Sequence, residues 1–311
     1  MHTKSCYDSS GGSRARKGRP ADLSGAGAFA AGDERGFFVP SNYAHYRFGQ
    51  EVRSLLTGRE RQAVDRWPEL FFIGVHGPDI FFHYHPLRAN AVRELGHGMH
   101  RRPGREFFVH AADTLRQIGL EEAHLAYVCG FLCHFALDVT CHGYVDLAIS
   151  RTGVSHVEIE GELDRALLVD DGEDPIRRRL TSHIVPSREN AAVIADFFPS
   201  LTPEQVAASL RGMIANDGWM TAPGRFKRGL VSSALKVSGH YEELHGLMIN
   251  YEPNPRCAES TRRLRELYSQ AVPRGAALIG SYVRYLAGEE ELGKLYDYTF
   301  GSRPGEKEDA Q

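Results

Sequence analysis

The 311-residue sequence offers little that would tie it to a bilayer, a nucleic acid or an oxidising compartment. It has no run of eighteen apolar residues, so no transmembrane helix is expected. Basic residues Lys4, Arg14, Arg16, Lys17 and Arg19 are followed by no apolar stretch, which argues against a secretory signal and makes a cytoplasmic protein the expectation. The five cysteines (6, 129, 133, 141 and 257) are odd in number and lack a paired spacing, so they read as reduced thiols. A formal net charge of -3 gives no electrostatic case for nucleic acid. Alternating strand patterns are scarce, and no internal repeat is visible.

What is present is helical. Residues 1–36 are rich in Gly, Ser, Ala and Arg and cannot bury enough apolar surface to order themselves, so a disordered tail is expected there and again over 301–311. Residues 37–300 read as one all-α domain. Residues 106–118 place apolar groups at helical spacing. Residues 121–139 are apolar nearly all round, the mark of a central buried helix. Thr202-Pro203-Glu204-Gln205 gives an N-cap, a proline at the first helical position and a glutamine three residues after the cap. Residues 256–288 read as one or two long amphipathic helices, with Pro273-Arg274-Gly275 the place of the break if there are two.

The chemistry concentrates in one stretch. Eleven of the fifteen histidines fall between 45 and 156. Within it stand His134-xxx-Asp138-xxx-His142 and then His156-xxx-Glu160. Residues four apart share a helix face, so each segment aims its side chains at one point. Imidazole with carboxylate suits zinc and hydrolytic chemistry. The plain alternative is a set of solvated or hydrogen-bonded histidines. Against it, His134 and Asp138 sit on the helix expected to be buried, and a buried carboxylate is costly unless it is paired or bound to metal. Potential partners precede them: His45, Asp79 in Gly77-Pro78-Asp79, and His83, His85, His97 and His100. Cys133 and Cys141 flank the histidines and point about 100° away on a helix, as small core residues would.

These segments resemble the zinc-dependent phospholipase C family. The likeness covers roughly residues 43–165 and rests on Ala44-His45-Tyr46-Arg47-Phe48-Gly49, Gly77-Pro78-Asp79, the run from Gly130 to His142, and Ser155-His156-Val157-Glu158-Ile159-Glu160. It is nearest to the bacterial branch of phospholipase C/D-domain proteins. The resemblance implies a single helical-bundle domain of the phospholipase C and single-strand nuclease type, with two to three zinc ions in one cleft. It implies that Asp79, His134 and Asp138, with His100 as the favoured fourth ligand and His97 or His85 as alternatives, hold one ion. His142, His156 and Glu160 would hold a second, and His45 with a bridging Asp138 a third. In the secreted relatives an N-terminal tryptophan completes that third site. Here the tryptophans are Trp67 and Trp219, so the site lacks that ligand.

The activity implied is cleavage of a phospholipid head-group phosphodiester, or of another phosphodiester, by a zinc-activated water. Asp79 is the candidate catalytic carboxylate, both ligand and proton acceptor. Arg47, Tyr84 and Tyr144 are candidates to orient a phosphate. Phenylalanine pairs at 71–72, 81–82, 107–108 and 197–198 are read first as packing. Peripheral contact with a membrane is in keeping with a lipid substrate. The rivals are a single-strand-specific zinc nuclease of the same fold, a non-catalytic metal-binding protein, and a di-iron carboxylate bundle, whose ExxH spacing differs from that found here.

Overall fold

The apolar stretch that begins after Glu121 becomes the axis of the molecule. In the computed structural model, which describes residues 41–239 and 241–300, it is a single helix, α6 (Glu122–Thr152). The expected disordered tails lie outside the described residues. Of the described residues 73 % are helical, and no strand occurs among them. One isolated bridge joins Pro103 and Thr299.

Along the chain α6 is preceded by α1 (Asn42–Leu55), α2 (Gly58–Arg66), α3 (Pro68–Gly74), a 3-10 turn over Gly77–His83, α4 (Ala91–His100) and α5 (Gly104–Gln117). It is followed by α7 (His156–Asp170), α8 (Arg188–Ala195), α9 (Pro203–Met220), α10 (Arg225–Val237), the single turn α11 (Tyr241–Leu244) and α12 (Ala258–Leu286). Helices α1, α2, α3 and α12 pack around α6. By length and a mean hydropathy of 1.3, α6 is apolar enough to cross a membrane, but 89 % of that window is buried inside the fold. Most of its apolar surface is covered by protein, as a core helix requires.

Two local features set the positions of the polar residues on α6. Gly74 on α3 and Gly130 on α6 meet backbone to backbone. A Cβ at Gly74 would lie 2.3 Å from the Tyr127 carbonyl, and one at Gly130 would lie 2.1 Å from the Phe71 carbonyl. This close crossing lays the 3-10 turn that follows α3 against α6. At its far end α6 stops at Gly153, which adopts a left-handed φ of +64° and donates its N–H to Ile149 at 2.8 Å. Ser155 then caps α7, its hydroxyl accepting the Glu158 N–H. The chain therefore reverses within a few residues, and α7 returns beside the last turns of α6.

Several expectations need amending. The central helix extends past residue 139 to Thr152, so His134, Asp138 and His142 lie on one continuous element. No break occurs at Pro273: α12 is one helix with the proline inside it. Burial of Leu264, Tyr268, Ala271, Leu278, Ile279 and Tyr282 along one face holds it together past the missing N–H. The Thr202 capping box forms as the sequence implies, with Gln205 reaching back to the Thr202 N–H. Phe71, Phe81, Phe107, Phe108, Phe197 and Phe198 are core packing, while Phe82 also lines a cleft described below.

Candidate metal centre

The long helix α6 presents His134, Asp138 and His142 as a buried polar stripe on an otherwise apolar element. Other elements bring partners to it. His134 Nε2 lies 3.1 Å from Asp138 Oδ2, and His134 Nδ1 lies 3.6 Å from Asp79 Oδ2 on the 3-10 turn. From α4, His100 Nε2 reaches Asp79 Oδ1 at 2.9 Å. From α1, His45 Nε2 stands 3.3 Å from Asp138 Oδ1, its ring stacked on that of His134 with centroids 4.7 Å apart. One turn on, His142 Nε2 and His156 Nε2 lie 3.3 and 3.1 Å from Glu160 Oε1.

All eight ligands expected from the sequence are thus brought together. Three groups have ligand atoms within 4.8 Å of one another: His45, Asp79 and His134; His100, His134 and Asp138; and His142, His156 and Glu160. Asp138 faces histidines from both ends of the array, including His142 Nδ1 at 3.8 Å. Of the alternatives for the fourth ligand, His97 stacks on Phe82 at 4.5 Å and His85 is exposed, whereas His100 reaches Asp79. Arg47 turns away from the cluster to Glu51 and Asp171, at 2.6 and 2.8 Å. Tyr144 packs on the core, and Tyr84 sits edge-on to His85. Of the three suggested phosphate-orienting groups, Arg47 is therefore engaged elsewhere in ion pairs.

The donor set fits a cation on grounds internal to the structure. Six buried side-chain atoms here have no hydrogen-bond partner: His45 Nδ1, both nitrogens of His134, Asp79 Oδ2, Asp138 Oδ2 and Glu160 Oε2. Each such group would cost about 1–3 kcal/mol if left so. His134 Nε2 and Asp138 Oδ2 are close yet not in hydrogen-bond geometry, the relation expected of lone pairs directed at a common third atom. Backbone carbonyls fix two of the rings. His142 Nδ1–H donates to Phe300 at 3.0 Å and His100 Nδ1–H donates to Gly96 at 2.8 Å, which leaves each Nε2 lone pair for a metal.

Without a cation the carboxylates draw protons onto the imidazoles. Burial opposes charge on His142, but Asp138 and Glu160 outweigh it and push its pKa up to about 10. His45 and His100 are raised in the same way, burial again being overcome, by Asp138 and Asp79 respectively. Burial works against ionised Asp138 and Glu160 too, yet the neighbouring histidines hold both below the ordinary carboxylate range.

One supporting residue escaped the sequence reading. Asp164, one turn beyond Glu160 on α7, is buried and accepts hydrogen bonds from the N–H groups of Tyr43 (3.0 Å) and Ala44 (2.7 Å) and from the Ser41 hydroxyl. It caps α1 from another helix, in place of a cap from Ser41 itself, and so fixes the turn that carries His45. The spacing Glu160-xxx-Asp164, which continues the period of four, was the available signal.

The family model for zinc dependent phospholipase C matches residues 44–212. The chain belongs to this family. All eight clustered residues lie within the match, and no curated protein or solved structure matches the chain. The zinc dependence of the family agrees with the histidine and carboxylate clusters of this phospholipase C relative. Beside them lies a cleft of about 180 Å³, open to solvent. Glu160 and Asp164 line its inner end, and Val157, Leu180, Leu247 and Ile249 line its apolar walls.

Proposed function

We propose that this protein hydrolyses a phospholipid head-group phosphodiester with two to three zinc ions held by His45, Asp79, His100, His134, Asp138, His142, His156 and Glu160. One observation carries the reading: Glu160 belongs both to a ligand cluster and to the wall of a largely apolar cleft. Ligands for a hydrolytic metal thus open onto a surface suited to a lipid rather than to a polyanion. When bound, zinc supplies Lewis acidity, lowering the pKa of water towards about 7 and drawing charge from phosphoryl oxygens.

The chain's own groups do the rest. The Phe300 and Gly96 carbonyls hold the His142 and His100 rings in one tautomer. Asp138 holds charge between the two ends of the cluster. Asp79 turns Oδ1 to His100, and its Oδ2 has no hydrogen-bond partner, which supports the reading of this carboxylate as both ligand and proton acceptor. The core below the cluster, with Phe131 and Phe135 fully buried, excludes bulk water from that side.

The test is a substrate panel on the zinc-loaded protein. Nitrophenyl phosphocholine and short-chain phosphatidylcholine should both be cleaved. Asp79→Asn should lower turnover by about a hundredfold or more, a loss within the range ascribed to a positioned proton acceptor. Cleavage of single-stranded nucleic acid without lipid cleavage would assign a nuclease instead. Failure on every phosphate ester would leave a metal-binding protein without this activity.

A further inference from the structure

The helix α10 is thinly packed: Val231 is its one buried residue among those described. Phe226, Leu230, Ser233 and Val237 recur at intervals of three and four, so they form one stripe on the helix. That stripe faces solvent. Phe226 is 87 % exposed, Leu230 58 % and Val237 90 %. Trp219, at the end of the preceding α9, is 63 % exposed. Single exposed apolar residues need no explanation, but an aromatic and aliphatic row on one helix does.

Charge and position indicate what covers it. Arg225 and Lys236 flank the stripe on one side of the helix and Lys227 on the other, and between Gly218 and Tyr241 the chain carries Arg225, Lys227, Arg228 and Lys236 without a single carboxylate. An apolar row bordered by basic side chains, with tryptophan and phenylalanine among the apolar groups, has the composition of a helix that lies in a lipid interface. The opposite side of α10 belongs to the cleft. Leu235 lines it, as does Met220, the neighbour of Trp219. Leu87, 87 % exposed, lines the same cleft and marks its rim. One side of α10 thus lines the cleft, and the other carries the exposed row. All of α10 lies beyond the segment matched by the family model.

We propose that α10, with the adjoining Trp219, is the surface by which this protein docks on an anionic phospholipid bilayer. The inference rests on the phospholipase reading for its purpose, though not for its geometry. Phe226 and Leu230 enter the acyl boundary, and Arg225 and Lys236 meet lipid phosphates.

Vesicle co-sedimentation of the zinc-loaded protein tests this, using phosphatidylcholine alone and phosphatidylcholine with phosphatidylglycerol. Binding should strengthen with phosphatidylglycerol and weaken with added salt. The double variant Phe226→Ser, Leu230→Ser should lose about tenfold or more in vesicle affinity, given the apolar area it withholds from lipid. Its hydrolysis of soluble nitrophenyl phosphocholine should not change. Both side chains are exposed, so its circular dichroism should match that of the parent. Equal vesicle binding by parent and variant, or no binding by the parent, overturns the proposal. So does a parent dimer that the double variant abolishes while vesicle binding persists, because the stripe is then an interface between copies of the chain. If the parent binds vesicles through these residues but cleaves no phospholipid, the docking surface stands and the phospholipase reading falls. If the variant cleaves vesicle lipid as fast as the parent, the docking surface falls and the phospholipase reading stands.

Discussion

At Gly77 a single hydrogen determines whether the 3-10 turn can reach the cluster. Its φ of +50° is left-handed, and a Cβ there would sit 2.2 Å from His134 Cδ2. Gly77→Ala therefore meets backbone strain and the ring of a candidate ligand together. We expect a loss of about 2–4 kcal/mol in stability and a weaker zinc site, measured by denaturant melts and zinc titration. Unchanged melts and titration would mean that the turn does not set His134. The sequence marked Gly77-Pro78-Asp79 as a turn carrying a carboxylate. It did not show that the glycine lies under His134, since that contact joins residues far apart in the chain. The resemblance favours His100 over His97 and His85, and the choice rests on a tertiary fact: the backbone of α4 turns His100 rather than His97 towards Asp79, and His85 lies exposed in the loop before that helix.

Among the elements, α6 was the most legible and its end the least. An apolar run with polar residues every four positions identifies a buried helix bearing a site. Its continuation to Thr152 was missed because Thr140, His142 and Asp146 dilute the apolar pattern, while packing by α7 and α12 sustains the helix. Of the one or two helices the sequence allowed over 256–288, the structure has one, because tertiary burial outweighs local propensity at Pro273. α7 contributes more than its two ligands. Through Asp164 it caps α1, and that contact cannot be seen in either segment alone. Asp164→Ala should cost about 1–2 kcal/mol, as the loss of a helix cap does, and loosen His45. Calorimetric zinc titration should find the ion nearest His45 weakened, with the His142, His156 and Glu160 site little changed. Equal weakening of all sites would point to general destabilisation instead.

For the whole molecule, an all-α fold followed from the scarcity of alternating patterns, and the structure bears it out. The cluster's charge makes stability depend on pH in opposite directions with and without metal. In the metal-free protein His142, with its pKa raised to about 10, contributes stability that is full below its ordinary 6.5 and is lost as pH rises through about 10. Glu160, held low by His156 and His142 against the effect of burial, contributes above its ordinary 4.5 and loses that contribution as pH falls. Between about 4.5 and 6.5 both favour the metal-free fold. Zinc requires His142 without its proton, so the stabilisation that zinc adds grows with pH. Thermal melts should show the chelator-treated protein losing Tm above pH 6.5 while its gap to the zinc-loaded protein widens. A gap independent of pH would mean that His142 neither carries the proton nor binds the ion.

The claim on which the rest depends is that these eight side chains form a polynuclear zinc centre. An anomalous difference map at the zinc edge, from crystals of the zinc-loaded protein, tests it most directly. The account predicts at least two peaks: one at about 2.0–2.2 Å from His142 Nε2, a His156 nitrogen and a Glu160 oxygen, and one bound by His134 with Asp138. Asp138 should bridge the latter ion and a neighbouring one. An empty cluster, or Asp138 turned away from every peak, would contradict the account.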